Sequence, residues 1–335
     1  MKTTTGMRTR RDLLTGASML ALSAGSVIGF APGEARAQDY PARPVQVIVA
    51  FPAGGSADIV GRQVMQKLSE ATGGSFVIEN RTGAGGNIAF AATAAAKPDG
   101  YTLLFSTPGI AINPSLYKRA NYKLEDFTPI ALVGDAPLVL LANPSLPYKN
   151  VNELVAFGKT KPDAVRFASS GNGSSSHLAM DVLRSMTGMQ YLHVPYRGGG
   201  PAMLDVIAGQ VDVTMLPISE SMPYVRDGRL RSLGQTGSKR SLIAPDMPTI
   251  EESGIKGYAS TTWYMVLGPA GMPRAIVNTI QTQLDRVLKL PELQEKLKAA
   301  GVSVINGNSE EANAFLHAEH KKWAALIKAS GTIIE

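Results

Sequence analysis

The sequence predicts an α/β protein of two lobes, each a mainly parallel sheet flanked by helices. Three features predict it. The chain has 335 residues, whereas single domains cluster near about 100–150. Strand-like and helix-like segments alternate, which calls for parallel strands joined by helical crossovers, and the series restarts after Asn143-Pro144. Each half also carries a loop of glycines and hydroxyl residues between a strand and a helix. Hydrophobic residues make up 44% and charged residues 18%, enough apolar material to fill two cores and to exclude a disordered chain.

The first residues read as an export leader, outside either lobe. Lys2, Arg8, Arg10 and Arg11 precede the uncharged run from Leu13 to Phe30, and Ala35-Arg36-Ala37 offers a small-residue cleavage site. Thr15, Gly16, Ser18, Ser23, Gly25, Ser26 and Gly29 make that run too polar for a bilayer span. Thr9-Arg10-Arg11-Asp12-Leu13-Leu14 resembles a twin-arginine signal. Cleavage after Ala37 is expected, with a periplasmic mature protein. The leader holds five cationic and two acidic residues, so the formal +6 falls to +3 in the mature chain. That surplus, without a long basic run, excludes a nucleic-acid footprint. With no cysteine in the chain, disulfides, thiolate metal sites and a cysteine nucleophile are excluded.

In chain order, Val45 to Phe51 reads as a β-rich run broken by Pro52-Ala53-Gly54-Gly55, and Ile59 to Leu68 has helical spacing. Phe76 to Glu79 is a second strand, followed by the glycine-rich loop Gly83 to Asn87 and a small-residue helix to Ala96. Tyr101 to Phe105 is a third strand, ending at Ser106-Thr107-Pro108. After the restart come a helix near Val151 to Lys159, strands at Val165 to Ala168, Tyr191 to Val194 and Val211 to Leu216, and helices at Ser174 to Thr187 and Pro201 to Ala208. The remainder, with a strand near Tyr264 to Leu267 and three helices, is expected to return to the first lobe and pack there. The predicted division is leader 1–37, first lobe 38–140 plus 262–335, second lobe 141–261.

Phe51 to Asp58 and Ser169 to His177 share one design. Glycine lets backbone approach a ligand, and the free N–H groups of a helix N-terminus attract an anion. One helix end contributes only about 0.3–1 kcal/mol at an exposed site, whereas micromolar binding needs roughly 8 kcal/mol. Several donors from both lobes must therefore converge. Simple helix capping is the competing reading of each loop, Asp58 included. Neither loop has the Gly-Lys-Ser/Thr ending of a P-loop, Gly83, Gly85 and Gly86 fail the dinucleotide fingerprint, and no Gly-x-Ser-x-Gly elbow occurs. His317 and His320 read as a solvated helix face rather than metal ligands. The alternative function is an exported hydrolase using a hydroxyl of Ser174 to Ser176 with His177.

Seven segments in order carry a family resemblance: Phe51 to Asp58, Glu79 to Asn87, Lys97 to Leu104, Ala168 to Leu178, Val194 to Ala202, Gly209 to Asp212 and Pro245 to Thr249. The chain resembles the periplasmic substrate-binding proteins of tripartite tricarboxylate transporters, the Bug or TctC-type group. The resemblance implies a Venus-flytrap, type II-like fold that closes on a ligand carboxylate without catalysis, cofactor or metal. By position, Phe51, Pro52, Ala53, Gly54, Gly55, Ser56 and Asp58 would supply the first lobe's contacts, and Ser169, Ser170, Gly171, Asn172, Gly173, Ser174, Ser175 and His177 those of the second. Ser106, Thr107 and Arg197 would line the same cleft. A small organic acid anion, membrane subunits of a transporter or a sensor protein, and a monomeric state are the implied partners and assembly. The chain departs from many relatives at Tyr264-Met265-Val266-Leu267-Gly268-Pro269, where larger side chains either reshape the rim or belong to the core with no ligand role.

Overall fold

Alternation along the strands sets the layers. In the computed structural model, which describes residues 1–3, 40–162 and 164–330, β1 (Val45–Val49) turns Val45, Val47 and Val49 into one apolar cluster and Ile48 into another. Opposite faces of a strand thus feed opposite helical layers. From residue 4 to its end, the leader read over 1–37 lies outside the described residues.

α1 (Ser56–Thr72) follows, burying Val60, Val64, Met65 and Leu68 at helical spacing against the first of these clusters. Then come β2 (Phe76–Asn80), α2 (Asn87–Ala94), β3 (Thr102–Ser106) and α3 (Gly109–Leu116). β2, β1 and β3 pair in parallel. β4 (Phe127–Ala142) is a 16-residue strand, after which α4 (Val151–Thr160), β5 (Arg166–Ser169), α5 (Ser175–Thr187), β6 (Leu192–Pro195), α6 (Gly199–Ile207) and β7 (Val213–Pro217) repeat the alternation. β6, β5 and β7 are again parallel. α7 (Ile218–Arg226), β8 (Arg231–Gln235), β9 (Thr261–Pro269), α8 (Arg274–Leu288), α9 (Pro291–Ala299), β10 (Ser303–Gly307) and α10 (Ser309–Ser330) complete the described chain.

The two-lobed α/β class is observed, and its parallel halves are joined by antiparallel strands into one mixed sheet, in the order β2-β1-β3-β9-β4-β7-β5-β6. The join is β4. From Phe127 to Pro137 it pairs with β9, and from Leu138 to Ala142 with β7 and β8. One strand therefore belongs to both lobes, and β9 brings the chain back at Thr261. β10 pairs with β4 at the first lobe's edge.

The last helix departs from expectation. α10 starts on the first lobe, where Ala312 and Leu316 are buried with Trp263, but Trp323 and Ile327 pack with Leu178 and Val182 of α5 in the second. Its apolar stripe is long enough to serve both cores. The indole N–H groups of Trp263 and Trp323, the only two tryptophans, both donate to Glu319 Oε2, at 3.1 and 2.9 Å. Glu319→Ala would leave two buried indole donors without acceptors, at about 1–3 kcal/mol each. Thermal unfolding should drop by several degrees and intrinsic fluorescence should shift to the red; an unchanged melting temperature would remove the clamp from the fold's supports.

Candidate functional site

At the carboxyl ends of β1, β5 and β7, where open α/β sheets place ligands, the loops into α1, α5, α6 and α7 surround a cavity of about 590 Å³. The first-turn amides of a helix have no carbonyl partner inside it. α1 faces the cavity from the first lobe, and α5 and α6 face it from the second.

The loop before α1 is set by Gly54, whose φ of +80° suits glycine alone. Asp58 is 3% exposed and faces away from the cavity. Its carboxylate accepts from Gly54 N–H, Arg62 Nε and Asn80 Nδ2, each at 3.0 Å, and Asn80 also donates to Phe51 O. Burial works to raise the Asp58 carboxyl, but the Arg62 side chain, Gly54 N–H and Asn80 outweigh it and hold the group below the usual carboxylate range. Asp58 thus shapes the loop from behind.

The second loop is braced in the same way by two histidines. His177 and His193 stack at 4.0 Å between ring centroids, with 5° between their planes. Gly173 N–H donates to His177 Nδ1 at 3.3 Å, which leaves the proton on Nε2, 3.5 Å from Asp181 Oδ2. Gly171 N–H donates to Ser169 Oγ, which is 2.6 Å from His193 Nε2. Ser174 caps α5: its hydroxyl donates to Gly171 O at 2.7 Å and accepts from His177 N–H. No hydroxyl here is held by His177 as a nucleophile would be.

Of the residues singled out from sequence, Phe51, Pro52, Ala53, Gly54, Gly55, Ser56, Thr107, Ser170, Ser174, Ser175 and Arg197 line this cavity. Gly171 and Asn172 line an adjoining one of about 440 Å³, which shares Phe51, Pro52, Ser170, Ser174, Arg197 and Gly198 with the first. Asp58, Ser106, Ser169, Gly173 and His177 line neither. Ser106 is wholly buried and donates to Thr107 O. Ser169 and His177 are turned inward by the bonds above, and Gly173 presses against Asn113 and Leu116. Tyr264 and Met265, read from sequence as either rim or core residues, are fully buried in the first lobe's two cores. His317 is exposed, and His320 donates Nδ1 to Ala111 O at 2.7 Å. Among the described residues no cluster of His, Cys, Asp or Glu could hold a metal ion.

Three further parts of the wall stand outside the ligand contacts expected from sequence. Gly198 to Gly200 begin α6, and Pro52 packs against Gly198 closely enough that an added Cβ would sit 3.3 Å from its ring. Ser176 Oγ is buried on the cavity wall without a hydrogen-bond partner. Glu220, in the first turn of α7, crosses to the other lobe, where its Oε1 accepts Ser56 N–H at 2.7 Å. Burial pushes the Glu220 carboxyl upward, opposed by the Ser56 donors. The signal was present in Leu216-Pro217-Ile218-Ser219-Glu220, a further strand-to-helix turn of the kind already nominated twice.

Residues 60–332 match the profile of the Tripartite tricarboxylate transporter family receptor, TctC. The chain belongs to this family. BugT of Bordetella pertussis is 35% identical over 298 residues, covering 88% of this chain and 91% of BugT. The periplasmic binding protein BugD superposes with a TM-score of 0.82 at 34% identity, over 88% of this chain and all of BugD. Rpa4515 of R. palustris, solved with adipate, gives 0.83 at 33% identity over 88% and 99% of the two chains. MatC of Rhodopseudomonas palustris, solved with malate, gives 0.80 at 29% over 86% and 100%. As a TctC-family member the chain is a solute-binding receptor of the periplasmic type and not an enzyme, which removes the hydrolase reading. Among the described residues no helix is long and apolar enough to cross a membrane.

Burial first, with Arg184 adding, holds His177 at about 4, and burial followed by the neighbouring His177 holds His193 at about 3. Both are neutral in the folded protein at neutral pH and titrate near 6.5 when unfolded. Their contribution to stability is complete above about 6.5. It falls as the pH drops toward 4, because only the unfolded chain takes up the protons. At pH 5 one such histidine has lost roughly 2 kcal/mol. The melting temperature should fall by several degrees from pH 7.5 to pH 5 while both imidazole NMR signals of the folded protein stay fixed; titration of either signal near 6.5 would refute the neutral pair.

Proposed function

We propose that this receptor captures a small organic acid anion in the cleft between its lobes. The observation that carries the reading is the convergence of the α1, α5 and α6 N-termini on one cavity, with the orphan hydroxyl of Ser176 on its wall. Free first-turn amides and helix dipoles attract an anion, and a carboxylate enclosed without matched donors would cost several kcal/mol. Adipate and malate in the related Rpa4515 and MatC structures support the same ligand class.

In this reading Ser56, Ser170, Ser175 and the glycines at 54, 55 and 171 meet the ligand, while Asp58, Ser169, Gly173 and His177 keep the loops in shape. Arg197, exposed at the boundary of both cavities and unpaired among the described residues, supplies the guanidinium for a ligand's outer end. The lobes divide as 38–140 plus 262–335 and 141–261, and the ligand biases an open–closed equilibrium about the strands that join them. The mature protein starts after Ala37 in the periplasm and works as a monomer. It hands its ligand to membrane subunits of a tripartite transporter or to a sensor.

A thermal-shift screen of mono-, di- and tricarboxylates and acidic amino acids tests the reading. One acid at a hundred times its Kd should add about 2.7 kcal/mol of stability and be recovered unchanged. No saturable stabilisation by any acid would defeat the proposal. Gly171→Val should abolish binding, because φ is +128° there and a Cβ would meet Tyr196 O at 3.1 Å. Gly54→Val should do the same: an added Cβ meets nothing within 4 Å, but a branched side chain at φ +80° strains the loop out of shape. Normal affinity in both variants would take these loops out of the site.

A further inference from the structure

The site is built for an anion, yet its wall includes a carboxylate. Glu220 lines the cavity beside the amides that would hold a ligand's negative charge. Its Oε1 accepts Ser56 N–H from α1, and a Cβ placed on Gly199, at the start of α6, would come within 2.8 Å of Oε2. The carboxylate thus reaches between the N-termini of α1 and α6, one from each lobe. Among the described residues no cation pairs with it, and the Ser56 backbone and side chain are its hydrogen-bonding partners. Tyr264, whose buried hydroxyl also meets the Ser56 side chain, and Asp135 beyond it bring no positive charge.

A half-buried carboxylate without a cation is a costly arrangement unless something completes its shell. Two carboxylates side by side repel, so a plain diacid whose charged end settles against α1 meets Glu220 as an opposing charge. An acid that also carries a hydrogen-bond donor next to that end meets it as an acceptor, and a hydrogen bond to a charged group is the stronger kind.

We propose that Glu220 is a specificity-determining residue: it accepts a hydrogen bond from an ammonium or hydroxyl group on the ligand, beside the carboxylate held by the helix N-termini, so that donor-bearing acids are selected over plain ones. The inference rests on the carboxylate-binding reading above and sharpens it.

The test uses matched acids that differ only in the donor. Titration calorimetry compares succinate, malate and aspartate, and adipate with its 2-hydroxy and 2-amino forms, on the wild-type protein and on Glu220→Gln. Glutamine keeps an oxygen for Ser56 N–H and removes the charge. The wild type should prefer a donor-bearing acid over its plain counterpart by about ten-fold or more, and Glu220→Gln should bring that ratio to within about two-fold. A larger gain for the 2-amino acid assigns the donor as ammonium, and a larger gain for the 2-hydroxy acid assigns it as hydroxyl. A wild-type ratio near one in both series, or a preference that survives Glu220→Gln, overturns the inference and leaves the binding reading intact. Failure of any acid to bind either protein overturns both. A crystal structure of the wild type with its tightest acid does not depend on the variant folding. The donor atom within about 3.2 Å of a Glu220 oxygen supports the assignment, and a donor turned away from Glu220 refutes it.

Discussion

The unpaired amides at the start of a helix have to find partners, and much of this protein is arranged around four such starts meeting in one cleft. α1 answers with Asp58 and Pro52 for the amides of Gly54 and Gly55, and with Glu220 from the other lobe for Ser56. α5 answers with Ser174 and His177. The donors left over, together with the orphan hydroxyl of Ser176, are what the cleft has to offer a ligand. Side chains that look like chemistry in the sequence turn out to hold backbone in place. Side chains that look like routine capping, Glu220 above all, reach the cavity.

The parallel cores were legible because their strands are short, largely apolar runs set off by proline or glycine. Val45 to Val49 and Thr102 to Ser106 are such runs, and both loops of the site follow the pattern directly. β4 was not legible. It carries Pro129, Gly134, Asp135 and Pro137, residues that argue against a central strand, and its register shifts at Pro129/Ala131 and Leu132/Gly134 absorb that irregularity. Nearly every residue in it is buried, so it lacks the polar alternation that marks a half-exposed strand.

Within the site, sequence spacing located the loops but not the directions of their side chains. Asp58 and Ser56 are two positions apart, yet one ties the loop to Asn80 and the other borders the cavity. His177 beside three serines suggested an acid–base pair. Its partner is the ring of His193, sixteen residues on, which only the parallel pairing of β5 with β6 brings close. Glu220 in a first helical turn has an ordinary dipole explanation, and nothing local shows that it spans to Ser56.

The sharing of β4 has an evolutionary consequence. A receptor made of two self-contained modules could exchange one half with a relative and keep the other. Here a cut near Leu138 would expose the edges of β9 on one side and of β7 and β8 on the other, rows of unmatched peptide groups that invite aggregation. Substitutions on the loops, by contrast, would alter the cleft wall while leaving the shared sheet intact.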